Sequence, residues 1–210
     1  MTKTALIITS HIEHITKIRL HRKFDLTVSA DGGYLYARAL GVTPEVYIGD
    51  HDSAPLPPSD DMENRIILPN VKDITDSEAA IDYCISKGCT EVFVLGGIGG
   101  RLDHTLGNLG IMAKHCKKAH IVFLDGQNRT FMLHPGEHRI QKHDFKFLGL
   151  IAYGGSVGGL TIKGCKYELT DKELVCETTL GVSNEITGDE ALISFSSGKL
   201  LVVQSQDIKK

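Results

Sequence analysis

Over roughly the first 125 residues, short apolar runs rich in β-formers alternate with longer amphipathic stretches, and beyond about residue 128 the alternation stops. Such alternation buries the runs in a parallel sheet and covers that sheet with helices. Strands are expected at residues 5–9, 26–30, 46–49, 65–68, 91–95 and 120–124, and helices at 34–40, 76–87 and 103–117. Asp76 opens its helix as N-cap or first-turn acid, and Gly88 follows its end. The later residues form short alternating segments at 145–153, 160–163, 191–195 and 200–204, broken by glycine pairs, which fits an antiparallel sandwich. The expectation is an α/β protein with a parallel-sheet domain over residues 1–127 and a smaller antiparallel β-sandwich domain over 128–210.

Composition narrows the functions. A net charge of −3 argues against a broad nucleic-acid surface. Five scattered cysteines with no C-x-x-C pair indicate neither a disulfide framework nor a zinc knuckle, so a reducing cytoplasm is the expected location. The apolar stretch near the N-terminus is too short for a signal sequence or a membrane span. The histidines, His11 among them, show no metal-ligand spacing and read as solvated.

In an open parallel sheet, ligands bind beyond the carboxyl ends of the strands. Four such ends carry chemistry. Asp31-Gly32-Gly33 puts a carboxylate and two glycines between strand and helix, a pattern that serves a capped turn and a phosphate contact equally. In Gly49-Asp50-His51-Asp52-Ser53, two carboxylates two residues apart suit Mg²⁺, which takes hard oxygen ligands and keeps room for substrate phosphates. Lys72-Asp73-Ile74-Thr75-Asp76 offers a phosphate-pairing cation with further metal carboxylates. Residues 96–104, Gly-Gly-Ile-Gly-Gly-Arg-Leu-Asp-His, are the most specific. Their four glycines expose amides to an anion, Arg101 brings a planar cationic fork, and Asp103 and His104 start the next helix. The glycines match neither a P-loop nor a dinucleotide fingerprint.

In this order, and with Asn108 after the fourth, these motifs resemble the thiamine pyrophosphokinase family. Leu180-Gly181-Val182-Ser183-Asn184-Glu185 resembles that family's Ser-Asn-Glu segment. The resemblance implies a Rossmann-like first domain holding ATP and Mg²⁺, with Mn²⁺ as an alternative, and a second domain that binds thiamine. It implies a homodimer with active sites between subunits, and formation of thiamine diphosphate and AMP. Asp50, Asp52 and Asp76 are then the expected metal cluster, with Asp73 as a further member. Lys72 and Arg101 neutralise phosphate charge, and Asp31 and Asp103 orient the nucleotide or a metal-bound water. Gly32, Gly33, Gly99, Gly100, His104 and Asn108 complete the phosphate site, while Ser183, Asn184 and Glu185 face thiamine. Two features depart from the family: His51 stands where an aromatic is usual, and the chain has no tryptophan. A metal-dependent hydrolase of nucleotides or phosphate esters is the rival enzyme, and a nucleotide-sensing module without turnover is the non-enzymatic alternative.

Overall fold

The computed structural model describes residues 2–15, 18, 22–50 and 64–207. The chain divides into two compact units, Met1–Gly126 and Gln127–Lys210.

The first unit runs β1 (Thr4–Ile8), β2 (Leu26–Ala30), α1 (Gly33–Ala39), β3 (Val46–Gly49), β4 (Asn64–Ile67), α2 (Asp76–Ser86), β5 (Glu91–Leu95), α3 (Leu102–His115) and β6 (His120–Leu124). Its strands are all parallel, in the order β4-β3-β2-β1-β5-β6. β1 is buried along its whole length, which is why it reads as an unbroken apolar run and not as an alternation. Successive strands step outward from β1 to β4, and then β5 begins again on β1's other side. The strand order therefore reverses between β1 and β5, the place where such folds form a ligand crevice.

The helices end where local chemistry ends them. Thr75 is the N-cap of α2, its Oγ1 accepting the Glu78 amide at 3.2 Å, so Asp76 is a first-turn acid and not the cap. At the other end Gly88 has φ +82°, the Gly88 amide donates to Ile85 O and the Cys89 amide to Cys84 O, a complete Schellman closure. That closure seats Cys84 and Cys89 in the interior. Burial pushes the Cys84 thiol up to about 12, as it pushes Cys165 in the second unit to about 11, so both are inert at neutral pH.

Lys114 and His115, at the end of α3, meet α2. Lys114 Nζ lies 2.9 Å from Glu78 and 3.3 Å from Asp82, and the buried His115 ring lies 2.8 Å from Asp82 Oδ1, close but misdirected for a hydrogen bond. Burial holds the His115 pKa below its ordinary value, against the pull of Asp82 and with the push of Lys114 and Lys118. The unfolded chain therefore binds a proton at this ring more readily than the native chain, so stability falls as pH drops through about 6.5. Urea midpoints at pH 7.5 and 5.5 should diverge less in His115→Gln than in the wild type. Equal divergence in the two proteins would rule out this ring as a source of acid sensitivity.

The second unit comprises β7 (Asn128–Leu133), β8 (Gly136–Gln141), β9 (Phe147–Ala152), β10 (Val157–Lys163), β11 (Leu169–Leu174), β12 (Glu190–Phe195) and β13 (Leu200–Ser205). Within it β7, β13 and β9 pair antiparallel, and β11, β10, β12 and β8 form a second antiparallel sheet. β9 and β12 each bury alternate residues, the one-sided pattern of sheets that share a core. Among the described residues no helix is long and apolar enough to cross a membrane.

Candidate active site

At the carboxyl edge of the first sheet, Asp31 directly follows β2 in the left-handed region, φ +47°, and is buried. Its amide donates to Ile48 O on β3 at 2.9 Å, and a Cβ at Gly49 would stand 2.9 Å from Asp31 Cα. Glycine at 49 thus lets the two strand ends close on each other, which brings Asp50 beside Asp31. Asp50 is 4% exposed. Lys72 Nζ bonds Asp50 Oδ2 and lies 3.2 Å from Asp76 Oδ1 at the head of α2. Burial works against the Lys72 ammonium, but its bonds to Asp50 and Asp76 outweigh that and raise its pKa. The Asp76 carboxyl is held above its ordinary value, first by burial and then by repulsion from Asp50 and Asp31, with Lys72 opposing. Three carboxylates and one ammonium therefore share one electrostatic neighbourhood.

This donor set suits a hard divalent cation. Among the described residues, buried Asp31 Oδ1 has no hydrogen-bond partner, and Asp76 Oδ1 has an ion-pair neighbour but no hydrogen bond. Among the described residues no three His, Cys, Asp or Glu side chains already surround a single point. Asp73, next to Lys72 in sequence, is exposed, and Asp52, like His51, lies outside the described residues.

The glycine loop after β5 differs from its sequence reading. Gly96, Gly97, Gly99 and Gly100 have φ of +82°, +73°, +81° and +58°. A Cβ at Gly96 would collide with His11 O, at Gly97 it would meet Asn108 Nδ2 at 2.9 Å, at Gly99 Glu13 Cδ at 2.8 Å, and at Gly100 His11 Nε2 at 2.7 Å. The missing side chains make room for the protein's own segment after β1 at least as much as for a ligand. Asn108 is likewise structural here: buried, it donates to Gly97 O at 2.5 Å and fastens the loop. His11, expected to be merely solvated, flanks the loop, and Glu13 joins it there. Neither carries a motif, although both follow a strand end.

Past the loop, Arg101 is the N-cap of α3 and projects into solvent with its side chain 73% exposed. Its Nε and Nη2 reach Asp103 Oδ1 and Oδ2 at 3.1 and 2.6 Å, and the His104 amide donates to Asp103 Oδ1 at 3.0 Å. The bond from Arg101 holds the Asp103 pKa below its usual range. His104 is exposed beside them, while Gly32 and Gly33 are buried at the start of α1.

Sequence comparison closes the question of family. The profile described as "Thiamin pyrophosphokinase, catalytic domain" matches residues 18–124, and "Thiamin pyrophosphokinase, vitamin B1 binding domain" matches 137–200. The chain belongs to the thiamin pyrophosphokinase family. Thiamine pyrophosphokinase of Bacillus subtilis (strain 168) is 31% identical over 188 residues, covering 87% of this chain and 88% of the relative. The crystal structure of the Bacillus subtilis enzyme has a TM-score of 0.86 at 28% identity, covering 98% of this chain and all of that one. The enzyme from Geobacillus thermodenitrificans has a TM-score of 0.85 at 27% identity, with 97% and 98% covered.

Against this family background the second unit shows how its Ser-Asn-Glu segment is held. Asn184 is buried, its Oδ1 accepts the Tyr167 and Glu185 amides at 2.9 Å each, and its Nδ2 donates to Tyr167 O at 2.7 Å. Its hydrogen-bonding capacity is directed inward. Ser183 has φ +60° and is exposed, and Glu185 pairs with Lys166 at 3.1 Å. Leu180 and Val182, within the same motif, and Tyr167, bonded to Asn184, are exposed large side chains beside these residues.

Proposed function

We infer that the chain is a thiamine pyrophosphokinase that uses ATP as its donor. The observation that carries this reading is the convergence of Asp31, Asp50, Lys72 and Asp76 at the carboxyl edge of a chain whose two halves match the two family profiles. The thiamine hydroxyl oxygen bonds to the β-phosphorus of ATP while that phosphorus loses its bond to the bridging oxygen of AMP. The hydroxyl proton passes to a base, and a loose transition state asks little of that base. Catalysis is then chiefly positioning and charge stabilisation.

Residues 1–127 form the ATP-binding catalytic part and 128–210 the thiamine-binding part. Lys72 and Arg101 neutralise phosphate charge, Asp31 and Asp103 orient the nucleotide, and Gly99, Gly100 and His104 line its phosphates. Asn108 holds the glycine loop. Magnesium, or manganese in its place, would be held by Asp50 and Asp76, with Asp52 in the same proposal, and would neutralise charge on the phosphate oxygens. Ser183 and Glu185 contact thiamine, and Asn184 sets their backbone. A homodimer with sites between subunits is consistent with the exposed Leu102 and Leu106 on α3, and a reducing cytoplasm with five free cysteines.

The test supplies purified protein with ATP, Mg²⁺ and thiamine. AMP should appear one for one with thiamine diphosphate and only when thiamine is present. Phosphate release that ignores thiamine would replace this reading with that of a hydrolase.

A further inference from the structure

We propose that Glu13 is a positioning residue for the donor nucleotide, acting through the Gly99–Gly100 turn to fix Arg101. A carboxylate beside a loop that receives polyphosphate works against binding by its charge, so its presence calls for a geometric reason. Glu13 Oε1 accepts the Gly100 amide at 2.9 Å, one residue before the Arg101 N-cap. The absent Cβ of Gly99 leaves a seat that this carboxylate fills, its Cδ and Oε1 both 2.8 Å from where that atom would stand.

The post itself is anchored on both sides. Glu13 O accepts the Gly126 amide at 3.1 Å, His11 O accepts the Gly97 amide at 3.3 Å, and Thr9 Oγ1 donates to Leu95 O at 2.9 Å. Residues 9–13 are thereby pinned to the exits of β5 and β6, and only then reach out to hold Gly100. His11 Nε2, 3.5 Å from the same Glu13 oxygen, supplies an opposing charge when protonated. Among the described residues the solvent-exposed Arg101 guanidinium is bonded only to Asp103, two residues along the same helix start, while Thr105 Oγ1 holds the carbonyl side of the turn, donating to Gly99 O at 3.1 Å. The direction of the Arg101 backbone follows the Gly99–Gly100 turn, whose carbonyl side Thr105 holds and whose Gly100 amide Glu13 holds.

The inference rests on the reading of Arg101 as the phosphate clamp. Glu13→Ala, which loses the acceptor, should raise the KM for ATP about tenfold with the KM for thiamine unmoved, the scale of effect expected when a clamp is displaced by a fraction of an ångström. Glu13→Gln, which keeps an acceptor oxygen of the same reach, should stay within about twofold of wild type, because a retained neutral bond costs little. Hydrogen exchange at the Gly100 amide should quicken in the alanine variant and not in the glutamine variant. A KM for ATP that is unchanged or lower in Glu13→Ala overturns the proposal, the lower value marking Glu13 as a competitor of phosphate. Equal increases in both variants overturn it as well, since charge and not the bond would then matter. Arg101→Ala separates the two readings. If it raises the KM for ATP while Glu13→Ala does not, the brace alone is wrong; if neither does, the clamp is wrong too.

Discussion

Lys72→Met should unfold at markedly lower urea concentration than the wild type and turn over at about one hundredth of its rate or less. The ammonium bonds Asp50 and adjoins Asp76, and both carboxylates are largely withdrawn from water. Removing one partner of a buried pair leaves uncompensated charge and costs about 3 kcal/mol, while losing a preorganised positive group opposite transferring phosphates costs about 10²-fold or more in rate. Because Asp50 and Asp31 both repel Asp76, Mg²⁺ should restore part of the lost stability in this variant, and should raise its urea midpoint more than that of the wild type. Unchanged stability together with unchanged turnover would dissolve the proposed grouping.

Gly96→Ala should be strongly destabilising although it adds a single methyl group. Its φ of +82° is unfavourable for alanine, and the new Cβ would run into His11 O with Thr9 Oγ1 at 2.5 Å. Strain in a left-handed residue and overpacking against backbone each cost about 1–3 kcal/mol, so a combined loss of about 3–4 kcal/mol is expected. Gly41→Ala is the control: its φ is +68°, yet nothing lies within 4 Å of the added atom. Only the conformational part, about 1 kcal/mol, should be lost there. Chemical denaturation of both variants measures the difference, and similar losses would mean that the fit between the two loops is not what requires glycine at 96.

The contrast between the halves shows what a sequence reveals of its fold. β2, β3, β5 and β6 lie where their apolar runs lie, because a strand buried on both faces has no polar face to interrupt the run. β1 and β4 begin one residue earlier than those runs suggest. β11 was not legible: as an edge strand paired, among the described residues, only with β10, it carries Asp171, Lys172 and Glu173 on solvated positions, a composition that guards an edge and conceals a strand. β8 buries only Ile140 fully, and one residue makes no period. β7 opens on Asn128, ends at a proline-containing turn and follows β6 so closely that its run merges with the boundary.

The site divides in the same way. Asp31, Asp50, Lys72 and Asp76 could be picked out because strand ends in a parallel sheet are privileged positions. The roles of Glu13 and Asn184 were hidden, since each works through a backbone amide that only folding brings near. For the glycine loop the sequence marked the place but not the reason. Four glycines announce close approach, and only the three-dimensional arrangement says that the approaching groups include His11, Glu13 and Asn108.

The run of positive φ angles through Asp31, Gly96, Gly97, Gly99 and Gly100 also bears on how such an enzyme can change over time. A lineage under selection for a new acceptor or donor can vary, without loss of the fold, only those proposed site positions whose main chain is ordinary and whose side chain is exposed, Arg101 and Asp103 among them. The left-handed positions admit almost no alphabet. A combinatorial library that spends its diversity on the former and freezes the latter should recover far more folded clones than one of equal size spread evenly across the crevice.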